Sequence, residues 1–532
     1  MKGCISLGAE TDLVRRRRKS DDAELEIHRT VRPERMPVWK DIPLDMSYPE
    51  WPFEYELQPS PHGGEVTLSG AGLNQLYVCF GAPGTGKSYL LLRILKQMLL
   101  GDWAPPWGGL LLDPKQTLIA DVGKLKREIE EEGGKLPADR FHTIGPHEAS
   151  TNLLCGKMGQ SRLGPYDLGV ALALAAQSAG ISAKEPFWLN EMKRIFGAGL
   201  NLLELLGEPQ TLNRLAELLL GWELVEIKDL DPQSQVKETQ TTLDQQLDSA
   251  RKVVTEQKIE GKAARVWKRT ISELSAYSAG QGQNADTVRS FISEVLSPFL
   301  DPDLDYLSDA APASQSVADM IVGEGKWVML KVPKSSLSVA RMLSALAKIL
   351  FQRAALDRHA CYPVAEPDEE RPIFLFVDEY AELASDLPGE GVGDSIFFSQ
   401  GRQFKVLSFI ATQGVPMLDN SAVREAWKTI LSNSAGKIFF RVGDPDTADL
   451  AAKLLGEGTQ LVLDKSLVHS PEGGNVQRGE KLERRTIYTS DLFTTGLKQY
   501  QFAFIGTIDG GKTPTRLRFI GGSTDAPTRP PK

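Results

Sequence analysis

The sequence has few cysteines and histidines and no long hydrophobic run among its 532 residues. Its four cysteines (Cys4, Cys79, Cys155 and Cys361) lack paired spacing, which argues against a disulfide framework or a zinc site. The six histidines show no metal-ligand spacing either. Apolar runs such as LGVALALAA at 168–176 fall well short of the roughly 18 residues that a membrane helix needs. We therefore expect a protein of the reducing bacterial cytoplasm without a membrane anchor.

Positive charge is not in excess. The chain has 61 lysines and arginines against 70 aspartates and glutamates, a formal net charge of -9. The simple argument that a basic protein binds DNA therefore does not apply. Net charge bears on solubility more than on individual sites, so the acidic balance does not exclude nucleic acid as a partner.

Nearly continuous apolar segments, separated by helical patterns, occur before residue 158 and again after residue 315. Such segments are typical of a parallel sheet that helices cover on both faces. The predicted fold class is therefore α/β, with a central, mostly parallel sheet. The predicted strands are 73–80, 108–116, 140–144, 326–333, 372–383, 406–414, 436–442, 500–506 and 515–521.

Between these two parts, apolar residues recur at helical spacing, which predicts an inserted all-α domain. Its very polar stretch 231–283 is predicted to be a long exposed helix or a helical hairpin. The cations of this stretch form either a solvated face, which we favour, or a surface that faces DNA or a partner. The predicted domains are a weakly ordered tail (1–50), a first α/β part (51–157), the all-α insertion (158–315), a second α/β part (316–522) and a C-terminal tail (523–532).

The most informative segment is GAPGTGKS, whose spacing Gly81-x4-Gly86-Lys87-Ser88 is that of a P-loop. Glycines let backbone N–H groups turn towards phosphate, and the N-terminus of the following helix adds its positive dipole. Lys87 is expected to reach the outer phosphates and the Ser88 hydroxyl to ligate Mg²⁺. A structural glycine turn is the alternative, but here a predicted strand precedes the loop and a helix follows it. The predicted nucleotide-binding residues are Gly81, Ala82, Pro83, Gly84, Thr85, Gly86, Lys87 and Ser88.

An acidic pair follows the apolar strand in IFLFVDE. Ligands of α/β sheets bind at the carboxyl ends of the strands, where Asp378 would emerge. We expect Asp378 to belong to the Mg²⁺ shell and Glu379 to orient and deprotonate the attacking water. The alternative is an acid pair that caps a helix, which is less compatible with a P-loop in the same chain.

The sequence ATQG ends the next apolar strand, so Thr412 or Gln413 would lie beside the γ-phosphate. An uncharged amide there can sense whether that phosphate is present. The sequence contains no Asn-Lys-x-Asp motif for reading guanine, so ATP is favoured over GTP.

Taken in this order, the segments resemble the type IV secretion coupling proteins. These are conjugative DNA-transfer ATPases of the TraG/TraD kind, within the FtsK/HerA superfamily of P-loop motors. The resemblance runs from about 73 to about 520. Besides the P-loop it rests on LLLDPKQ, FWLNEMKRIFGAGLNLL, DTVRSFISEVLSPFLDPDL, GKWVMLKVP, FVDEYAEL, GRQFKVLSFIATQG and LSNSAGKIFFRVGDPDTADLAAKLLG.

The resemblance implies a RecA-like NTPase domain with an inserted all-α domain, working as a hexameric ring. Such rings pump DNA or feed DNA–protein substrates to a secretion channel. Lys87 and Ser88 match the family's Walker A pair, Asp378 and Glu379 its Walker B pair, and Gln413 its sensor glutamine.

Arg402, in GRQF, matches a family arginine that can reach the nucleotide of a neighbouring subunit. On the motif alone, a surface arginine paired with a nearby acid is an equally good interpretation.

The predicted function is that of a soluble, ATP- and Mg²⁺-dependent DNA translocase in DNA transfer or processing for a mobile element or a defence system. Coupling proteins usually begin with a membrane anchor, and the stretch 231–283 is longer than the family leads us to expect. The sequence does not decide whether the partner is a relaxase, a nuclease or a secretion channel. It also does not decide whether the DNA is single- or double-stranded. The alternative is an ATP-switched scaffold that recruits a nuclease or effector without translocating. A coupling ATPase for protein substrates is the third interpretation.

Overall fold

A computed structural model gives the three-dimensional structure of the chain. The residues that it describes are 4–17, 28–29, 53–59, 65–101, 106–134, 136, 139–180, 186–221, 242–280, 284–307, 315–332, 337–364, 366, 370–387, 392–470, 473–486, 488–507 and 516–521.

Strands and helices alternate along both ends of the chain, and helices dominate its middle. The strands are β1 (Cys4–Arg17), β2 (His28–Arg29), β3 (Phe53–Pro59), β4 (Glu65–Ser69), β5 (Leu76–Phe80), β6 (Gly108–Leu112), β7 (Phe141–Ile144), β8 (Lys157–Met158), β9 (Ser161–Arg162), β10 (Trp327–Leu330), β11 (Ile373–Val377), β12 (Asp386–Leu387), β13 (Val392–Gly393), β14 (Val406–Thr412), β15 (Gly436–Phe439), β16 (Glu457–Ser470), β17 (Gly473–Thr486), β18 (Phe502–Gly506) and β19 (Arg516–Gly521). The α-helices are α1 (Lys87–Leu100), α2 (Leu118–Glu131), α3 (Pro165–Ser178), α4 (Pro186–Leu206), α5 (Leu212–Leu219), α6 (Thr242–Glu256), α7 (Gly261–Ser278), α8 (Ala285–Leu296), α9 (Leu337–Leu356), α10 (Arg358–Cys361), α11 (Asp394–Gln400), α12 (Val415–Asp419), α13 (Trp427–Asn433) and α14 (Pro445–Leu454).

Among the described residues, the main sheet has 13 strands, most of them in the order β2-β1-β19-β18-β15-β5-β14-β11-β6-β10-β7. All neighbours from β15 to β7 in this order are parallel. Antiparallel strands extend the sheet beyond β15, beginning with β18 and β19. The prediction of a central, mostly parallel sheet is therefore confirmed.

Strand β14 lies between β5, which leads into the P-loop, and β11, which leads into the acidic pair. Thr412 is the register partner of Phe80, and Ile410 is the partner of Val377. Because these strands are parallel, their carboxyl ends meet at one edge of the sheet. The fold therefore brings the three predicted motifs to the same edge.

Helices cover both faces of the sheet, as the apolar strands predicted. On β5, Tyr77 and Cys79 pack into a core with residues of α1 and α2, whereas Val78 and Phe80 pack into a core with residues of α3, α4 and α9. Alternate residues of one strand thus enter different cores, which explains why the strand is apolar throughout.

Helices α3 to α8 all lie within the predicted insertion 158–315. Helices α6 and α7 pack together and bury Leu247 and Leu274, while Lys262, Arg265 and Lys268 on α7 are exposed. This agrees with the predicted helical hairpin, although 231–241 and 281–283 lie outside the described residues. The exact limits of the insertion stay a prediction. Within the described part of the chain, no helix is both long and apolar enough to cross a membrane.

The N-terminal segment differs from the predicted tail, because residues Cys4–Arg17 form strand β1 of the main sheet. This strand pairs with β4 and with β19, and Leu7 is buried in the core that contains α1. A sheet edge offers unpaired N–H and C=O groups to such a segment, and a run of charges does not reveal that pairing. Most of the rest of the predicted tail lies outside the described residues.

Candidate functional site

The P-loop connects β5 to α1 and is held on both sides by neighbouring strands. The Gly81 N–H donates to the Thr412 carbonyl (3.2 Å), and the Ala82 N–H donates to the Arg441 carbonyl (2.8 Å). Gly84 and Gly86 have φ angles of 74° and 118°, a backbone region that only glycine adopts without strain. The predicted glycine spacing therefore corresponds to the backbone that the loop adopts.

Lys87 and Ser88 begin α1. The Lys87 ammonium is buried and donates to the Gly81 carbonyl at 2.6 Å. Burial lowers the pKa of Lys87, and the negative charges of Asp378 and Glu379 partly oppose this shift. The lysine therefore lies inside the loop, where its charge is poorly solvated and suited to pairing with an anion.

The Ser88 hydroxyl donates to the Asp378 carboxylate (2.9 Å), across 290 residues of sequence. Asp378 follows β11, and its N–H donates to the Leu112 carbonyl of β6 (2.9 Å). Burial raises the pKa of Asp378, and the negative charge of Asp113 adds to this shift. A hydroxyl and a carboxylate oxygen together are hard oxygen donors of the kind that Mg²⁺ prefers.

Glu379 is held by contacts from two further strand ends. Lys115, after β6, donates to its carboxylate at 2.6 Å. Gln413, after β14, donates to both of its carboxylate oxygens at 3.1 and 3.0 Å. The φ angle of Glu379 is 49°, in the left-handed region, so its backbone is in a conformation that non-glycine residues rarely adopt.

The turn after Glu379 is anchored in the protein interior. The Tyr380 hydroxyl donates to the Asp394 carboxylate at 2.8 Å, and the fully buried Lys348 ammonium pairs with the same carboxylate at 2.7 Å. Removing one partner of such a buried pair typically costs about 3–5 kcal/mol, because the other charge is left buried and uncompensated, so the turn requires both residues together.

Lys115 was not among the predicted site residues, although its segment LLLDPKQ was noted. Burial acts to lower the pKa of Lys115, but the hydrogen bond and the charge of Glu379 outweigh burial, and the net shift is upwards. Its neighbour Asp113 accepts hydrogen bonds from the N–H groups of Lys115, Thr117 and Leu118 and so fixes the turn into α2. Only the strand order, with β6 beside β11, reveals that Lys115 reaches Glu379.

The structure does not bring Arg402 to the P-loop of its own chain. Arg402 is exposed and lies in the 3₁₀ turn Gly401–Phe404, before β14 begins. The P-loop lies at the other end of β14, which has 7 residues. Because a strand rises about 3.3 Å per residue, the two ends are about 20 Å apart.

A segment that carries none of the predicted motifs also contacts the P-loop. The Tyr500 N–H donates to the Thr85 carbonyl (2.9 Å), and the Gln499 amide donates to the Gly84 carbonyl (3.1 Å). A Cβ on Gly86 would lie 2.8 Å from the Tyr500 ring. The residues just before β18 therefore support the outer side of the loop.

These contacts predict different costs for two glycine substitutions in the loop. Both Gly84→Ala and Gly86→Ala place alanine at a positive φ, which costs about 1–2 kcal/mol. Only Gly86→Ala also drives a methyl group into Tyr500, which adds about 1–3 kcal/mol, because the space at Gly84 is open. We expect Gly86→Ala to lower the thermal unfolding midpoint clearly more than Gly84→Ala. Equal midpoints would contradict the contact with Tyr500.

The chain matches a protein-family model over one segment, and it matches solved structures over most of its length. Residues 372–495 match the family model described as the TraM recognition site of TraD and TraG. No curated protein sequence matches the chain.

Among solved structures, the plasmid coupling protein TrwB matches most of the chain. In complex with the ATP analogue ADPNP it is 16% identical, with a TM-score of 0.53 over 85% of this chain and 88% of that one. In complex with ADP and Mg²⁺ it is 17% identical, with a TM-score of 0.52 over 85% and 88%. In complex with the GTP analogue GDPNP it is 17% identical, with a TM-score of 0.52 over 85% and 86%.

At this level of identity the likeness to TrwB concerns the fold. It agrees with the predicted fold class, a RecA-like α/β part with a mostly parallel sheet and a helical insertion. Together with the match of residues 372–495, it confirms the predicted resemblance: this chain is a P-loop protein similar to the type IV coupling proteins.

Proposed function

We propose that this chain is an ATPase that drives DNA movement as a ring, in DNA transfer or processing. The proposal is based on the hydrogen bond between Ser88 and Asp378. Beside it, Lys115 and Gln413 hold the carboxylate of Glu379 in place. ATP hydrolysis needs a phosphate-binding loop, oxygen donors for a cation and a carboxylate that can act as the base, and these residues would supply all three. TrwB structures with ADPNP and with ADP and Mg²⁺ support nucleotide binding by this fold.

In this proposal the loop N–H groups and Lys87 bind the phosphates, and Ser88 and Asp378 hold Mg²⁺. The cation would supply neutralisation of the phosphate charge. Glu379 orients the attacking water and accepts its proton. Gln413 and Lys115 keep the Glu379 carboxylate turned towards the loop, and Gln413 senses the γ-phosphate.

The roles of Lys87 and Glu379 predict different defects. Lys87→Ala removes a positive charge from the phosphates, so it should weaken ATP binding. Glu379→Gln keeps the shape of the side chain but removes the base, so ATP should bind and persist while hydrolysis falls by about 10²–10⁴-fold. Nucleotide binding and phosphate release, measured on the same preparations, check both variants. Hydrolysis at the parental rate by Glu379→Gln would exclude it as the base.

A specific observation favours a second candidate, an ATP-switched scaffold. The family model that matches 372–495 is described by the recognition of a partner protein, TraM, and not by catalysis. In that case the nucleotide would control the binding of a relaxase, a nuclease or another effector, and no DNA would move.

DNA dependence separates the two candidates. A motor that follows phosphates releases counterions on binding, so its DNA affinity falls steeply with salt and tolerates any sequence. We expect plasmid or single-stranded DNA to stimulate ATP hydrolysis at low salt and much less at moderate salt. Glu379→Gln serves as the control for contaminating ATPases. An ATP-competent protein that neither DNA form stimulates would support the scaffold instead.

Arg402 is proposed to act on the nucleotide of a neighbouring subunit. Its distance from its own P-loop argues against a role on the nucleotide of the same subunit, and a guanidinium that contacts the transferred phosphoryl group is worth about 10³–10⁵ in rate where it has been measured. We expect Arg402→Ala to bind ATP but to be nearly inactive.

Mixed rings test the action between subunits. Rings of Arg402→Ala and Glu379→Gln subunits contain some interfaces with both residues intact, so mixing should restore part of the activity. Because Arg424 is an exposed arginine outside the site, Arg424→Ala is the matched control and should keep the parental rate. Arg402→Ala with full activity, or verified mixed rings that recover nothing, would remove Arg402 from the site.

A further inference from the structure

Two tyrosines lie side by side at the outer side of the P-loop. Tyr89 is in the first turn of α1, directly after Ser88, and Tyr500 directly precedes the residues that enter β18. Their ring centroids are 4.9 Å apart, with the planes inclined by 56°. Both residues are only half-buried, so aromatic surface beside the loop remains exposed.

The position of Tyr500 is fixed by the loop itself. Its N–H donates to the Thr85 carbonyl at 2.9 Å, and its ring lies against Gly86. Its φ angle is 65°, a backbone conformation that is a genuine outlier for a bulky side chain. Such outliers persist where surrounding contacts hold them, and they cluster at ligand sites.

The strand order decides which end of a nucleotide would meet these rings. Glu379 and Gln413 follow β11 and β14, on one side of β5. These residues receive the terminal phosphate in the proposed function. Tyr500 precedes β18, which lies on the other side of β5, beyond β15. A nucleotide with its terminal phosphate at Glu379 therefore extends its ribose and base towards Tyr89 and Tyr500.

We propose that Tyr89 and Tyr500 form the base subsite and stack on the purine of the bound nucleotide; this inference rests on the proposed function. Stacking uses the face of the base and not its hydrogen-bonding edge, so it accepts adenine and guanine alike. Stacking therefore adds no preference of its own between the two purines, and the sequence has no guanine-reading motif that would favour GTP. The same fold in TrwB has been solved with an ATP analogue and with a GTP analogue.

The test compares ligands with and without a base. Mg²⁺–ATP and Mg²⁺–tripolyphosphate are titrated calorimetrically into the parent and into Tyr500→Asn, because asparagine tolerates the left-handed backbone. We expect ATP affinity to fall about 5- to 100-fold and tripolyphosphate affinity to stay unchanged. Tyr500→Phe should restore ATP affinity. Tyr89→Leu, which needs no special backbone, should also weaken ATP selectively, and the exposed Tyr166→Leu is the matched control.

A spectroscopic readout separates stacking from support of the loop. The triphosphate of 2-aminopurine riboside, whose emission is quenched by stacking, should be quenched at saturation by the parent and by Tyr500→Phe, but much less by Tyr500→Asn. Equal losses of ATP and tripolyphosphate binding, or quenching that Tyr500→Asn leaves unchanged, would overturn the base subsite. If the parent and Tyr500→Asn bind ATP equally well, the base subsite is overturned but the proposed function is not. A parent that binds neither ligand overturns the proposed function as well.

Discussion

The position of β14 between β5 and β11 is the constraint on which the whole candidate site depends. Parallel pairing in this order places the ends of the three strands at one edge, with Thr412 accepting a hydrogen bond from Gly81. The hydroxyl of Ser88 can then reach Asp378 across 290 residues of sequence. The helical block between them in the chain packs on one face of the sheet, where its helix α3 contacts α9 and residues of both helices share a core with β5.

Glu379 is held in place by contacts from several surrounding elements. Its left-handed backbone is held by the turn that follows, where Tyr380 is tied to the buried pair of Lys348 and Asp394. Its carboxylate is held by side chains from two other strand ends, Lys115 and Gln413. Two of these contacts involve a cation, Lys115 at the carboxylate and Lys348 in the turn. Electrostatics as well as packing therefore set the position of the carboxylate. A carboxylate held in this way would need little reorganisation to act in the proposed hydrolysis.

The outer side of the P-loop depends on a segment from near the end of the described chain. The Gln499 amide and the Tyr500 N–H donate hydrogen bonds to the Gly84 and Thr85 carbonyls of the loop. The pairing of β18 with β15 therefore does more than extend the sheet, because it also places this segment against the loop. Strand β1 continues that extension by pairing with β19.

The sequence by itself determined the α/β class, the parallel strands, the P-loop and the acidic pair at Asp378 and Glu379, because strand burial and glycine spacing are local properties that residue patterns record. It also indicated the helices of the insertion. It did not reveal β1, the contact of Lys115 with Glu379 or the contact of Tyr500 with the loop. These features depend on which strands become neighbours, and strand order is decided by packing between segments that are far apart in the chain, which only the tertiary structure contains.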